Sequence, residues 1–205
     1  MDLSQVELDK LSKNPYLVGI DEAGRGPWAG PVVVCAFLVT PSLKLVEGIN
    51  DSKKISSKKR EKLFEYLTQD PDIYSVGIIE NTIIDKVGIL RATKRAISLA
   101  YEKFQDLDAN VIIDGKFGRK NTEKVIFENH ADSLYYSVAC ASIIAKVTRD
   151  NMMIDFSKTY PEYCFEKHKG YGTKLHQEML VKHGVCKIHR LSYKPVAKIA
   201  KDFRP

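Results

Sequence analysis

Asp21 and Glu22 are adjacent acids at the end of an apolar run, and Gly24, Arg25 and Gly26 follow at once. Leu17-Val18-Gly19-Ile20 reads as a short buried strand that ends at Asp21. Neighbours inside a strand face opposite sides, so a strand ending there lets the turn bring both carboxylates to one opening. Glycine lacks a Cβ, and the glycines between 24 and 30 let backbone approach a ligand closely. Acids suit a hard cation, while backbone amides and an arginine suit a phosphate. The combination points to metal-dependent chemistry on a phosphodiester; alone, it also describes an ordinary acidic turn.

Other residues extend the pattern. Asp114 leaves the apolar run Val111-Ile112-Ile113 into Gly115. Open α/β sheets place ligand groups at such carboxyl ends, although Asp-Gly is also common turn chemistry. Asp132 stands just before a long apolar stretch, where an acid can cap a helix or favour its dipole. Glu128 lies four residues earlier. Ser52, Lys53, Lys54, Lys146, Arg149, Lys169 and Arg190 are candidate phosphate contacts, each equally readable as a solvated polar residue. Lys53 and Lys54 with Lys58, Lys59 and Arg60 form the densest basic cluster, the expected grip on a duplex. Tyr171, in Lys169-Gly170-Tyr171-Gly172, reads by itself as a half-buried turn aromatic. The histidines lack zinc-ligand spacing, and His168 is assigned a supporting role.

The elements that must position these groups follow from periodicity. Strands are expected at Leu17–Asp21, Val32–Val39, Ile73–Glu80, Val111–Asp114 and Lys124–Phe127. Ser57–Leu67 and Ile89–Phe104 read as amphipathic helices. Val138–Val147 reads as a buried helix continuing to about Phe156, and Leu175–His183 as a helix capped by Gly184. The order argues for an α/β fold with a mixed sheet and a helical C-terminal part. The expected division is a catalytic core over 1–160 and an appendage over 161–205. A net charge of +6 favours a polyanionic partner, and 44% hydrophobic residues suffice for a core. Cys35, Cys140, Cys164 and Cys186 form no Cys-x-x-Cys pair and read as reduced thiols. Met1–Lys13 lacks the apolar core of a secretory signal, and no apolar run reaches the ~18–20 residues of a membrane span. A soluble, cytoplasmic, monomeric protein is the expectation.

The motifs resemble, in order, those of the type 2 ribonucleases H, the ribonuclease HII family. They are residues 19–31, Asn50-Asp51-Ser52-Lys53-Lys54, Ile113-Asp114-Gly115, Ala141–Asp150, His168–Thr173 and His189-Arg190-Leu191-Ser192. The resemblance implies an RNase H-like five-stranded mixed sheet flanked by helices, with a helical C-terminal appendage. It implies that Asp21, Glu22, Asp114 and Asp132 are catalytic and bind two Mg²⁺ or Mn²⁺ ions. His130-Ala131 precede Asp132 where many members have a basic residue and glycine. It further implies that Gly24-Arg25-Gly26 reads the ribose 2′-hydroxyl and that Tyr171 stacks on the following deoxyribose. The expected activity is hydrolysis of RNA in RNA/DNA hybrids and cleavage 5′ to single ribonucleotides in duplex DNA, leaving 3′-hydroxyl and 5′-phosphate ends. That activity would serve ribonucleotide excision repair and primer removal. The alternatives are a type 3-like ribonuclease H acting on longer hybrids, and a non-catalytic nucleic-acid binding module. A 3′-exonuclease is disfavoured because such sites carry Asp-x-Glu on one strand face. Protein partners are left open.

Overall fold

The computed structural model describes residues 1–50, 52, 55–118 and 120–202. In chain order they form α1 (Gln5–Lys13), β1 (Leu17–Ala23), β2 (Val32–Val39), α2 (Ser57–Leu67), β3 (Tyr74–Ile79), α3 (Asn81–Val87) and α4 (Ile89–Tyr101). These are followed by β4 (Asn110–Asp114), β5 (Val125–Glu128), α5 (Tyr136–Thr159), α6 (Phe165–His168), α7 (Lys174–His183) and α8 (Lys194–Asp202). The strands make one sheet in the order β3-β2-β1-β4-β5, with β1 antiparallel to β2 and parallel to β4.

The sheet is apolar on both faces because both are covered. All eight residues of β2 are buried. Val33, Cys35 and Phe37 pack toward α5 and α2, while Val32, Val34 and Ala36 pack toward Ala92, Ala96 and Ala100 of α4. Burial all round explains why α5 reads as a continuous apolar run through Val147. Its backbone lies directly on β1: a Cβ on Gly19 would fall 2.2 Å from the Ser137 carbonyl carbon. Only glycine permits that approach.

Strands expected from the sequence appear within a few residues, but β1 does not end at Asp21. Its pairing with β4 stops at Ile20↔Ile113, yet pairing with the longer β2 runs on through Glu22↔Val34 to Ala23↔Val33. Asp21 and Glu22 are therefore strand neighbours on opposite faces. The helix beginning at Ile89 closes with a 3-10 turn over Glu102–Phe104, and Ile73 belongs to a 3-10 turn before β3.

Helix α1 was not anticipated, although Ser4 and Glu7 have capping-box spacing. Glu7 is fully buried and does double duty. Its carboxylate accepts from Ser4 N and also from Tyr136 N (3.0 Å), Ser137 N (2.9 Å) and Ser137 Oγ (2.7 Å) at the start of α5. Glu7→Ala would strand two buried backbone donors, and we expect urea unfolding to show a loss of about 3 kcal/mol. Ser4→Ala, which removes only the local cap, should cost about 1 kcal/mol; equal losses would refute the docking role of Glu7.

Candidate active site

The register brings the acids together. Asp21 and Asp114 each follow the last β1–β4 pair, and Asp114 lies beside Glu128 in the β4–β5 pairing. Side-chain alternation turns Asp21 and Asp114 toward α5, since Leu17 and Ile112 at even spacing pack into the α5-side core. Asp114 Oδ1 accepts from Ala131 N at 2.7 Å, tying the turn that carries buried Asp132 to the end of β4. His130 enters that turn in the left-handed region at φ 59°. Glu22, on the other side of β1, is bridged to Arg25 at 3.2 Å.

Asp21 is 5% exposed and hydrogen-bonds to Glu22 N at 2.7 Å and to the Ser142 side chain. Burial, then the charges of Glu22 and Asp114, raise its pKa well above the ordinary carboxylate value, and these hydrogen bonds only partly offset the rise. A cation would relieve both desolvation and like-charge repulsion, and an all-oxygen donor set suits a hard divalent ion. Among the described residues, no three Asp, Glu, His or Cys side chains are already gathered as an ion's ligand shell. The acids are neighbours along the sheet end rather than a closed cage.

Two expected phosphate contacts lie elsewhere. Arg149 and Arg190 are both 0% exposed. Arg149 donates to the carbonyls of Pro31, Ala29 and Lys169, each at 3.0 Å. Arg190 donates to the carbonyls of Gly30 (3.0 Å), Arg25 (3.0 Å), Gly24 (2.6 Å) and Pro31 (3.0 Å) and to Tyr193 Oη (2.9 Å). Their donors are spent on backbone, so these guanidiniums shape the 24–31 turn and present no fork to a phosphate. Burial first, and then Arg190 beside it, pull Arg149 down to about 10, which leaves it charged at neutral pH. Gly24 is required here twice over: its φ is +98°, and a Cβ would fall 2.2 Å from Arg149 Nε.

Other expected contacts are distributed around this turn. Tyr171 is 42% exposed, with Lys146 Nζ 5.6 Å and Arg149 Cζ 5.8 Å from its ring centre. Lys146 is paired with Asp150 at 2.8 Å. Lys169 is half-buried, and its ammonium bonds the Glu166 carbonyl. Ser52 is buried, its hydroxyl 2.9 Å from that of Ser142, so it supports α5 rather than facing outward. Lys53 and Lys54 lie outside the described residues. Arg60, placed in the same basic cluster, donates instead to the carbonyls of Ser52 and Ile55.

Sequence reasoning missed the braces behind the turn. Asn81 Nδ2 bonds the carbonyls of Lys187 and His189, and Asp85 accepts from Leu191 N, Ser192 N and Ser192 Oγ. Their i, i+4 spacing on α3 was the available signal. His168, His176 and His189 form a buried stack: His168 and His176 rings are 4.4 Å apart, and the Nε2 atoms of His176 and His189 meet at 3.0 Å. One of those nitrogens must carry the hydrogen and the other accept it, so the pair excludes double protonation. His168, expected in a supporting role among the substrate contacts, is buried instead in the core of the C-terminal part, where its Nε2 bonds the Tyr163 carbonyl.

A family model described as Ribonuclease HII matches residues 18–196. A ribonuclease HII of Endomicrobium trichonymphae is 47% identical over 89% of this chain and 87% of its own length. One from Rickettsia bellii is 45% identical over 94% and 97% respectively. The crystal structure of ribonuclease H2 from Pyrococcus horikoshii superposes with a TM-score of 0.69 at 29% identity, covering 92% of this chain and 98% of that one.

The histidine stack sets an acid limit on stability. Burial is the first cause lowering His176 to about 4 and His189 to about 3, from 6.5. Unfolded, both protonate near 6.5, so the unfolded chain binds more protons below that pH, and stability falls as pH drops toward 4. Each contributes at most ~1.4 kcal/mol per pH unit. Melting temperatures between pH 7 and 4 should fall more steeply for the wild type than for His189→Asn; parallel curves would refute a neutral buried His189.

Proposed function

The chain belongs to the ribonuclease HII family, and from that premise we propose that the acids at the ends of β1 and β4 cleave RNA phosphodiesters within duplexes. It is an endoribonuclease of the RNase H type, a phosphodiester hydrolase. The observation that carries the site is the register placing Asp21 and Asp114 side by side on the α5 face, where the charge of Asp114 adds to the burial that raises the Asp21 pKa.

In this reading Asp21, Asp114 and Asp132 would hold two divalent ions, Mg²⁺ or Mn²⁺, and Glu22, whose charge acts on Asp21 although its side chain leaves the other face of β1, would complete the set as the fourth acid. When bound, such ions supply Lewis acidity at the attacking and leaving oxygens of an in-line displacement. The chain's own residues do the rest. Ser142 and the Glu22 N–H orient the Asp21 carboxylate. The Ala131 N–H holds Asp114, and with it the turn bearing Asp132. The Gly24-Arg25-Gly26 backbone meets the ribose 2′-hydroxyl, which distinguishes RNA from DNA. Tyr171 offers an exposed ring to the next sugar. Water adds to phosphorus on the 5′ side of the ribonucleotide, the bond to the upstream 3′ oxygen breaks, and 3′-hydroxyl and 5′-phosphate ends result.

Lys146, Lys169 and the basic side of α2, with Lys53 and Lys54, contact the duplex backbone. The segment from 161 onward serves substrate binding through Lys169 and Tyr171, while residues 1–160 supply the acids. No helix among the described residues is long and apolar enough to cross a membrane; we place the enzyme in the cytoplasm as a monomer, acting in ribonucleotide excision repair.

Cleavage of duplex DNA carrying one ribonucleotide, with Mg²⁺ or Mn²⁺, tests the reading. Wild type should cut 5′ to the ribonucleotide, and Asp114→Asn should be slower by about 10³-fold, the loss of several kcal/mol of charge stabilisation. Calorimetry should show weaker Mn²⁺ binding by the variant. Full activity of Asp114→Asn, or no cutting by folded wild type, would sink the proposal.

A further inference from the structure

The peptide groups of the 24–26 turn are held from behind by side chains no nuclease chemistry requires. The Gly24 carbonyl accepts from Arg190 Nη2 at 2.6 Å. The Arg25 carbonyl accepts from Arg190 Nη1 at 3.0 Å and from the Tyr193 hydroxyl at 2.5 Å. Tyr193 Oη in turn accepts from Arg190 Nη1 at 2.9 Å. The chain contains no cis peptide among its described residues, and in a planar trans peptide the N–H points opposite to its own C=O. Drawing the Gly24 and Arg25 carbonyls inward therefore turns the N–H groups of Arg25 and Gly26 outward. The face they present is open: Gly26 is exposed, and a Cβ placed on it would meet only the Tyr171 ring edge, at 3.9 Å. The holding residues are themselves fixed, because Asp85 pins the backbone of Leu191 and Ser192 between them.

We propose that Arg190 and Tyr193 are positioning residues for ribose selectivity, setting the peptide planes so that the Arg25 and Gly26 N–H groups donate to the 2′-oxygen. This rests on the turn reading the ribose, as proposed above. Arg190 acts through its planar fork, which reaches two consecutive carbonyls; a lysine keeps the charge but offers donors from one point. Tyr193 reaches only the second of these carbonyls, which it shares with Arg190, through one hydroxyl.

A substrate-and-protein cycle tests this. Cleavage efficiency is measured on duplex DNA with one ribonucleotide, and on the same duplex with a 2′-fluoro sugar there, fluorine being a far poorer acceptor. Tyr193→Phe removes one hydroxyl from a partly exposed ring, so its melting temperature should stay within a few degrees of wild type. Its efficiency on the ribonucleotide should fall about fivefold, the net worth of one hydrogen bond, with little change on the fluoro sugar. Arg190→Lys should narrow the ribose-to-fluoro ratio further, by about tenfold or more. Equal losses on both sugars, or an unchanged ratio in both variants, would overturn the positioning role. Wild type that cuts but does not distinguish the two sugars would instead overturn the underlying reading of the turn, leaving the acids' role intact.

Discussion

Helix α5 lying bare-backed on β1 is the constraint from which the site is measured. Gly19 allows the helix to sit at backbone contact, and nothing larger would. From that seat, residues spaced along one side of α5 each meet a different layer. Ser142 meets Asp21, Lys146 meets Tyr171, Arg149 meets the carbonyls of the 29–31 segment, and Met153 packs against Gly30. The steps of four, three and four residues keep them in line on a helix. A displaced α5 would disturb acids and turn together.

The site separates its charges by place rather than by depth, since Asp21 and Asp132 are buried as the guanidiniums are. Acids collect at the strand ends, where burial and mutual repulsion disfavour the ionised form of Asp21. A few residues on, two guanidiniums are buried outright, yet their compensation comes from carbonyl dipoles rather than carboxylates. Burying an arginine is tolerable when its donors are met. Carbonyl partners have a second effect: they fix backbone geometry, which a carboxylate partner would not. The buried guanidiniums thus shape the turn, while the acids concentrate like charge at the strand ends.

Much of this was legible in the sequence, and the failures share a cause. The span of β2 follows from an apolar run, that of α2 from an amphipathic pattern behind a serine cap, and Gly184 caps α7 as expected. Asp114 at a strand end was readable because Gly115 follows it. The overrun of β1 was not, because its length is dictated by its partner β2 and not by its own residues. Arg149 and Arg190 resemble surface cations until burial is known, since an arginine satisfied by carbonyls has no companion acid to betray it. Glu7 likewise finds its partners 129 and 130 positions away. Periodicity reports local faces; it is silent on such distant pairings.

The tie between Arg190 and the 24–31 turn spans about 160 residues of chain. During synthesis, β1, β2 and β4 are available long before Arg190 and Tyr193 leave the ribosome. Contacts of such high separation come late and close slowly. The acids can therefore assemble on a growing chain whose 24–31 turn is still unset. The geometry of that turn is the last part of the site to be set as the protein is made, and a chain cut before Arg190 would lack both side chains that hold the Gly24 and Arg25 carbonyls.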